Sequence, residues 1–279
     1  MTNIDLLISE IKRKRELSRL DNKTIKEEID RQFKINKNLK PIFDEREYSQ
    51  LKRSKEFEQL FKTIRKNLRK AYGMFQRELI DRETLLNEIK NLKDLEGHKR
   101  ILETHQSTTE RLPYYDEIYK KIFAITGQPE SILDLGCGLN PFSYPWLNCE
   151  PSYYASDISP EDTHFIDEYF EKMDIDGEAT PANLNDIEKE DVLAVFPHVD
   201  ACFMFKVLDA VVTKPTLAEK LITSIDADWI VVSFSTVTLS GKPMTKKRRL
   251  WIEKMSERLG YQFQTFQVPN EIFYLIRKT

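Results

Sequence analysis

Glycine is scarce in this sequence, with eight in 279 residues, and there are only three cysteines and four histidines. Cys137, Cys149 and Cys202 are scattered and odd in number, and no C-x-x-C pair occurs. This argues against a disulfide framework. The histidines are too far apart in sequence to suggest a zinc site, so no metal is expected and a reducing, cytoplasmic setting is. No apolar run approaches the roughly 20 residues needed to span a bilayer. The opening MTNIDLLISEIKRKRE carries charge where a secretory signal needs an apolar core. No membrane partner is expected, and a monomer is.

The remaining composition is that of a folded protein. Apolar residues make up 40%, aromatic residues 11% and charged residues 32%, with both signs present, which is enough for a packed core and argues against disorder. The length suits two domains. Net charge is −3 but uneven: residues 1–105 hold 26 Lys+Arg against 19 Asp+Glu, a net +7, and residues 106–279 hold 17 against 27, a net −10. Such asymmetry points the basic half toward an acidic partner, nucleic acid first. The competing reading is a solvated basic helical face. Clusters at 12–19, 51–55 and 62–70 put cations on successive helical turns, among them Lys62, Arg65, Lys66 and Arg69.

The two halves also differ in pattern. Over 1–105 the only proline is Pro41, and apolar residues recur at helical spacing, as in Ile25, Ile29 and Phe33 and again in Phe57, Leu60, Ile64 and Leu68. Asp21 or Asn22 is the expected cap of a helix that follows. From about residue 130, short apolar runs at 131–135, 153–158, 199–205 and 228–234 alternate with helical stretches at 159–174, 215–225 and 245–259. Alternation of this kind predicts an α/β fold with a parallel, doubly wound sheet. Two further strand-like runs meet at Pro269-Asn270 and predict an antiparallel hairpin at the sheet edge. The boundaries read from these patterns are 1–105 for a helical RNA- or ribosome-binding extension and 106–279 for the sheet domain.

Two of the rare glycines, Gly136 and Gly138, stand in SILDLGCGLNPFSYPW, directly after a predicted strand that includes Asp134. Ligands of open α/β sheets bind beyond the C-terminal strand ends, and glycine there lets the backbone approach them. Asp157 closes the next predicted strand, 19 residues on, where an acid suits the two hydroxyls of a ribose. No third glycine opens a helix and no P-loop occurs. The pattern therefore fits a nucleoside without a pyrophosphate, of which S-adenosylmethionine is one.

LDLGCGLNPFSYPW resembles the nucleotide-binding motif of class I S-adenosylmethionine-dependent methyltransferases. More narrowly, it resembles that of the aminoglycoside-resistance methyltransferases that modify N7 of decoding-site guanine 1405 in 16S ribosomal RNA. LETHQSTTERLPYYDEIY (102–119), FKVLDAV (205–211), VVSFSTVTLSGKPM (231–244) and EIFYLIRK (271–278) are similar to further segments of that family. The helical, basic first half is similar to its RNA-binding extension in character.

The resemblance implies that Arg111 holds the methionine carboxylate of the cofactor, as a guanidinium fork suits a carboxylate. A salt bridge to Glu110 or Asp116 is the competing reading. It further implies that Asp134, Gly136, Gly138 and Phe205 approach the cofactor, with a helix or turn cap as the competing reading of Asp134, that Asp157 meets its ribose, and that Asn183 and Leu184 border the adenine. Lys206 would sit at the meeting point of methyl donor and target base and position the target, with a solvent-facing lysine as the alternative. Ser107 and Thr108 are expected to cap the helix over 109–125. Phe142, Tyr144, Trp146 and Phe205 are candidates for stacking a flipped base, with core packing as the alternative. Asp209 and Ser235 stand where the resembled motifs carry proline, and the segment after them is about two residues shorter. There Lys242, Lys246, Lys247, Arg248 and Arg249 form the densest basic cluster of the second half, placed to touch RNA phosphate. The implied activity is methyl transfer from S-adenosylmethionine to guanine N7 in 16S rRNA of the 30S subunit. A ribosome-binding protein without transfer activity, or a methyltransferase of another RNA or of a protein, remains open at this point.

Overall fold

Residues 2–73, 81–184, 193–211, 215–238 and 242–278 are described here in a computed structural model. They divide into two compact units, Met1–Leu79 and Ile80–Thr279. The first unit is helical, with α1 (Asn3–Lys12), α2 (Asn22–Ile35), α3 (Leu39–Glu45), α4 (Tyr48–Leu51) and α5 (Lys55–Ala71). Their starts follow from capping chemistry. Thr2 and Asp5 form a reciprocal box on α1, Asp21 rather than Asn22 accepts the Thr24 N–H at 2.9 Å on α2, and Ser54 accepts the Phe57 N–H at 3.1 Å on α5. Helical spacing turns Leu7, Ile11, Ile25, Ile29, Ile64 and Leu68 inward, each 3% exposed or less.

The second unit begins with α6 (Arg82–Glu88), α7 (Leu95–Leu102), α8 (Gln106–Arg111) and α9 (Tyr115–Thr126). Then come β1 (Ser131–Leu135), β2 (Ser152–Asp157), α10 (Pro160–Met173), β3 (Gly177–Pro181), β4 (Val199–Phe205), α11 (Val207–Val211), α12 (Pro215–Ser224), β5 (Ala227–Ser235), α13 (Leu250–Leu259), β6 (Gln262–Val268) and β7 (Glu271–Arg277). The strands form one sheet in the order β3-β2-β1-β4-β5-β7-β6. β1 to β5 run parallel, and β7 lies antiparallel between β5 and β6. The hairpin turns at Asn270, whose φ of +67° suits a short side chain with local hydrogen-bonding capacity.

Alternate residues of β4 enter different cores. Ala201, Phe203 and Phe205 pack on one face, with residues of α7, α9 and α10, while Cys202 and Met204 pack on the other, with residues of α12 and α13. Both faces are covered, as a parallel sheet requires. The expected α/β sheet and closing hairpin are present. Compactness divides the chain at 79/80, however, so the 1–105 segment set apart by charge and proline content straddles the division. The apolar residues of α6 and α7 explain this: Leu85, Leu86, Ile101 and Leu102 are buried in the sheet core. The first unit alone, residues 1–79, carries 21 Lys+Arg against 13 Asp+Glu, a net +8. β3 has no counterpart in the pattern of apolar runs. Its residues alternate weakly, and only Ala179 is buried.

Candidate functional site

The two glycines sit at the C-terminal end of β1 in left-handed backbone, with φ +63° at Gly136 and +53° at Gly138. Side-chain packing adds a second demand. A Cβ on Gly136 would lie 2.7 Å from Val207 Cγ2, and one on Gly138 would lie 2.8 Å from His105 Cε1. The backbone turn and two protein neighbours therefore already require glycine here, apart from any ligand. The Gly138 N–H donates to Asp157 Oδ2 at 2.9 Å, tying the loop to the end of β2. Asp157 also accepts the Ser159 N–H at 3.2 Å. Burial pushes its carboxyl up to about 6, with repulsion from Asp162 adding to the shift and the backbone N–H groups of Gly138, Ser159 and Ile158 opposing it. Pro181 of β3 is its register partner, which places Asn183 and buried Leu184 at the same strand ends. Asp134 accepts from Asn140 Nδ2 at 2.8 Å and Tyr153 OH at 2.7 Å through one oxygen, and its other oxygen has no partner. Burial lifts its carboxyl to about 6 as well, against those two hydrogen bonds.

Next to this stands a buried charged cluster. Arg111 ends α8 at 2% exposure, with its guanidinium carbon 5.0 Å from the centre of the Phe205 ring. One terminal nitrogen donates to Ser107 Oγ, while Nη1 lies 3.8 Å from Glu271 Oε1. Its Nε and Nη1 make no hydrogen bond. Neither expected carboxylate pairs with it, because Glu110 turns to Lys206 and Asp116 pairs with Lys120. Lys206 follows β4 at φ +62°, uncommon for a residue with a side chain and of the kind that clusters at functional sites. Its N–H donates to Ser233 Oγ at 3.0 Å and Ser233 O at 3.1 Å. Its Nζ lies 2.5 Å from Glu110 Oε2 and 3.2 Å from Glu271 Oε2. At 8% exposure it is not a solvent-facing lysine. Glu271, 1% exposed, thus faces Arg111 with one oxygen and Lys206 with the other.

A model of the ribosomal RNA methyltransferase family FmrO matches residues 92–275. The chain belongs to this family. It is 28% identical over 186 residues to a 16S rRNA (guanine(1405)-N(7))-methyltransferase of Frankia casuarinae, covering 64% of this chain and 63% of that protein. A protein of the same description from Proteus mirabilis is 27% identical over 246 residues, 79% of this chain and 84% of that one. The chain spans just under two thirds of the length of the first curated relatives it matches. Among solved structures it resembles the 16S rRNA methylase RmtB, with TM-score 0.69, 20% identity and full coverage of both chains. It also resembles 16S rRNA methyltransferase RmtF in complex with S-adenosyl-L-homocysteine, with TM-score 0.71, 20% identity and coverage of 99% and 98%. At that identity the likeness establishes the fold.

The residues of this FmrO member fit S-adenosylmethionine. Two buried guanidinium nitrogens that make no hydrogen bond are rare in folded proteins, and a carboxylate is the anion their fork matches. Phe205 backs that fork, and Asp157 offers its carboxylate at the neighbouring strand end. Among the described residues no group of His, Cys, Asp or Glu could hold a metal ion, and no helix is long and apolar enough to cross a membrane.

Other predicted residues fall elsewhere. Phe142 packs against Phe165 and Tyr169 with ring centres 5.1 and 4.2 Å away, and Tyr144 donates to Pro151 O, so both are core. Trp146 lies against Tyr115 and His98. Thr108 donates to the carbonyl oxygens of Leu102 and His105 and so serves the end of α7 rather than the start of the next helix, while Ser107 orients Arg111. On α5, Lys66 and Arg69 are exposed, Lys62 pairs with Glu58 at 2.5 Å, and Arg65 lies half-buried over Phe61. Lys242, Lys246 and Lys247 are exposed, and Arg248 holds Glu253 with two bonds of 2.8 Å. Arg249 departs from expectation. Its side chain is only 14% exposed and is turned onto protein acceptors, so it is not available to phosphate.

Two site residues, Glu271 and His105, lie outside the sequence reading. Glu271 carries a signal in being the one acid of a mainly apolar strand. Glu110, read as a possible partner of Arg111, pairs with Lys206 instead. His105 has no local signal, since its role is to pack on Gly138. Burial together with Arg82, Arg111 and Lys206 pushes its ring well below the usual histidine range, so it is neutral at pH 7.

Proposed function

We propose that this protein transfers the methyl group of S-adenosylmethionine to N7 of a guanine in the decoding site of 16S rRNA within the small ribosomal subunit. The carrying observation is the buried Arg111 fork, two of whose nitrogens make no hydrogen bond, near the strand ends that carry Asp157 and Lys206. Family membership and the activity for which the relatives are named support the reaction and the substrate.

The bound cofactor supplies an electrophilic methyl group on a sulfonium centre. The protein has to hold and orient. Arg111 holds a carboxylate and Asp157 accepts from ribose hydroxyls. Asn183 and Leu184 border the adenine, and Phe205 packs beside the fork. Guanine N7 carries a lone pair and no proton, so no general base is required. Lys206 Nζ, between two carboxylates, positions rather than deprotonates. Alignment of N7 with the methyl carbon and sulfur supplies the rate.

The basic unit 1–79 and the exposed lysines at 242–247 contact phosphate, which fixes register without reading base sequence. An assembled 30S particle presents such a folded surface and a short hairpin does not. This reading places the protein in the cytoplasm with the ribosome. The test is transfer of label from tritiated cofactor to 30S particles and to short decoding-site oligonucleotides. Strong labelling of particles and weak labelling of oligonucleotides is expected. Cofactor binding with no label in any RNA would leave a binding protein.

A further inference from the structure

Arg249 immediately precedes α13 and ends the basic segment, yet its guanidinium points inward. Nη2 donates to Asp209 Oδ2 at 2.8 Å and to Ser235 O at 3.1 Å, and Nη1 donates to Lys247 O at 3.0 Å. The group lies over the Phe234 ring, its carbon 5.0 Å from the ring centre. Its own N–H donates to Tyr274 OH at 2.7 Å on β7, and Tyr274 in turn donates to Glu253 at 3.0 Å. One side chain thus joins α11, the end of β5 and the basic segment.

These anchor points border the proposed target position. Asp209 lies three residues past Lys206. Ser235 lies two past Ser233, which accepts the Lys206 N–H. Asp209 and Ser235 are also the two positions where the resembled motifs carry proline. The Asp209–Arg249 ion pair is 46% exposed on the aspartate and 14% on the arginine.

We infer that Arg249 is a positioning residue: it clamps the segment 242–248 against α11 and the end of β5, and so sets how the target RNA is held, without taking part in cofactor binding. The inference rests on the proposed RNA substrate. A guanidinium is suited to the task because its planar fork serves acceptors in several directions at once, which an ammonium on a flexible stem does not.

The test compares wild type with Asp209→Asn, Arg249→Gln and Arg249→Lys. Hydrogen exchange over 242–249 should quicken roughly twofold to fivefold in all three, the range for a partly exposed ion pair and its local opening. Exchange in β1 and β4 should stay as in wild type. KM for 30S particles should rise by a similar factor while kcat changes less than about twofold, the signature of weakened uniform binding. Calorimetric affinity for S-adenosylmethionine should be unchanged. Lysine at 249 should not rescue.

Unchanged exchange over 242–249 would overturn the clamp. Faster exchange with KM unchanged would overturn its role in holding the target. Weakened cofactor binding alongside would show general loosening instead, and would also overturn it. Wild-type protein that labels no RNA would remove the substrate reading and the target half of this inference, while hydrogen exchange would still decide the clamp.

Discussion

Glu271→Gln tests the buried cluster most sharply, because it changes a charge and almost no shape. Arg111, Lys206, Glu110 and Glu271 together are neutral, and the variant leaves a net +1 in a site that is nearly dry. Glu271 lies 3.2 Å from Lys206 and 3.8 Å from Arg111. At an effective dielectric constant of about 20, each attraction is worth roughly 4–5 kcal/mol before desolvation is counted. Removing one member of such a buried set costs on the order of 3–5 kcal/mol net. In a unit of this size that lowers Tm by roughly 6–20 °C. The glutamine still accepts from Ser233 Oγ, so the loss is of charge. S-adenosylmethionine adds a carboxylate at Arg111 and restores the balance. The variant should therefore bind it roughly threefold to tenfold more tightly, the range for the net worth of one ordinary hydrogen bond freed from a competitor. Differential scanning fluorimetry with and without cofactor, followed by calorimetric titration, gives both numbers. A variant as stable as wild type, or one that binds cofactor more weakly, would refute the reasoning.

Arg111→Lys removes the fork and keeps the charge, so cofactor affinity should fall by about 10- to 100-fold by calorimetry, with unfolding little changed when cofactor is absent. Gly138→Ala should lose about 2–5 kcal/mol, combining left-handed strain with overpacking on His105, and His105→Ala should recover the packing part in a double variant. Asp157 has a folded pKa of about 6, above the ordinary aspartate value of 3.8. The folded state thus holds that proton more tightly, and the contribution of Asp157 to stability falls as pH rises from about 4 through 6. Hydrogen bonds from a ribose need the ionised carboxylate, so cofactor affinity should rise through pH 6, and Asp157→Asn should flatten that profile. Glutamate at Lys66, Arg69 and Lys70 should weaken binding to 30S particles and lower its salt dependence by roughly one unit of slope for each phosphate no longer neutralised, with cofactor affinity unaffected.

Much of the fold is legible because period and position carry it. The switch from helical spacing to short apolar runs marks the sheet domain, and the run at 199–205 matches its strand to both ends. Asp157 and Arg111 are readable because their chemistry depends on strand-end position and on a local motif. What is not legible depends on neighbours distant in sequence. Glu271 reaches Lys206 across 65 residues, and Arg249 reaches Asp209 across 40. Nothing near Arg249 in KKRRLW separates an inward arginine from an outward one. The break at 79/80 is hidden because α6 and α7 are as rich in charge as the helices before them, and only their apolar faces commit them to the sheet. Gly138 reads as a close approach to a ligand, whereas the neighbour a Cβ would meet is His105.

The most direct measurement is the position of the methyl group on the RNA. 30S particles are incubated with the protein and S-adenosylmethionine, and the 16S rRNA is extracted, treated with borohydride and aniline, and read by primer extension. N7-methylguanine reports as a strand break. The proposed reaction predicts one new break, at a single guanine of the decoding site, dependent on both protein and cofactor. Methyl label in the RNA with no break in the decoding helix would contradict it.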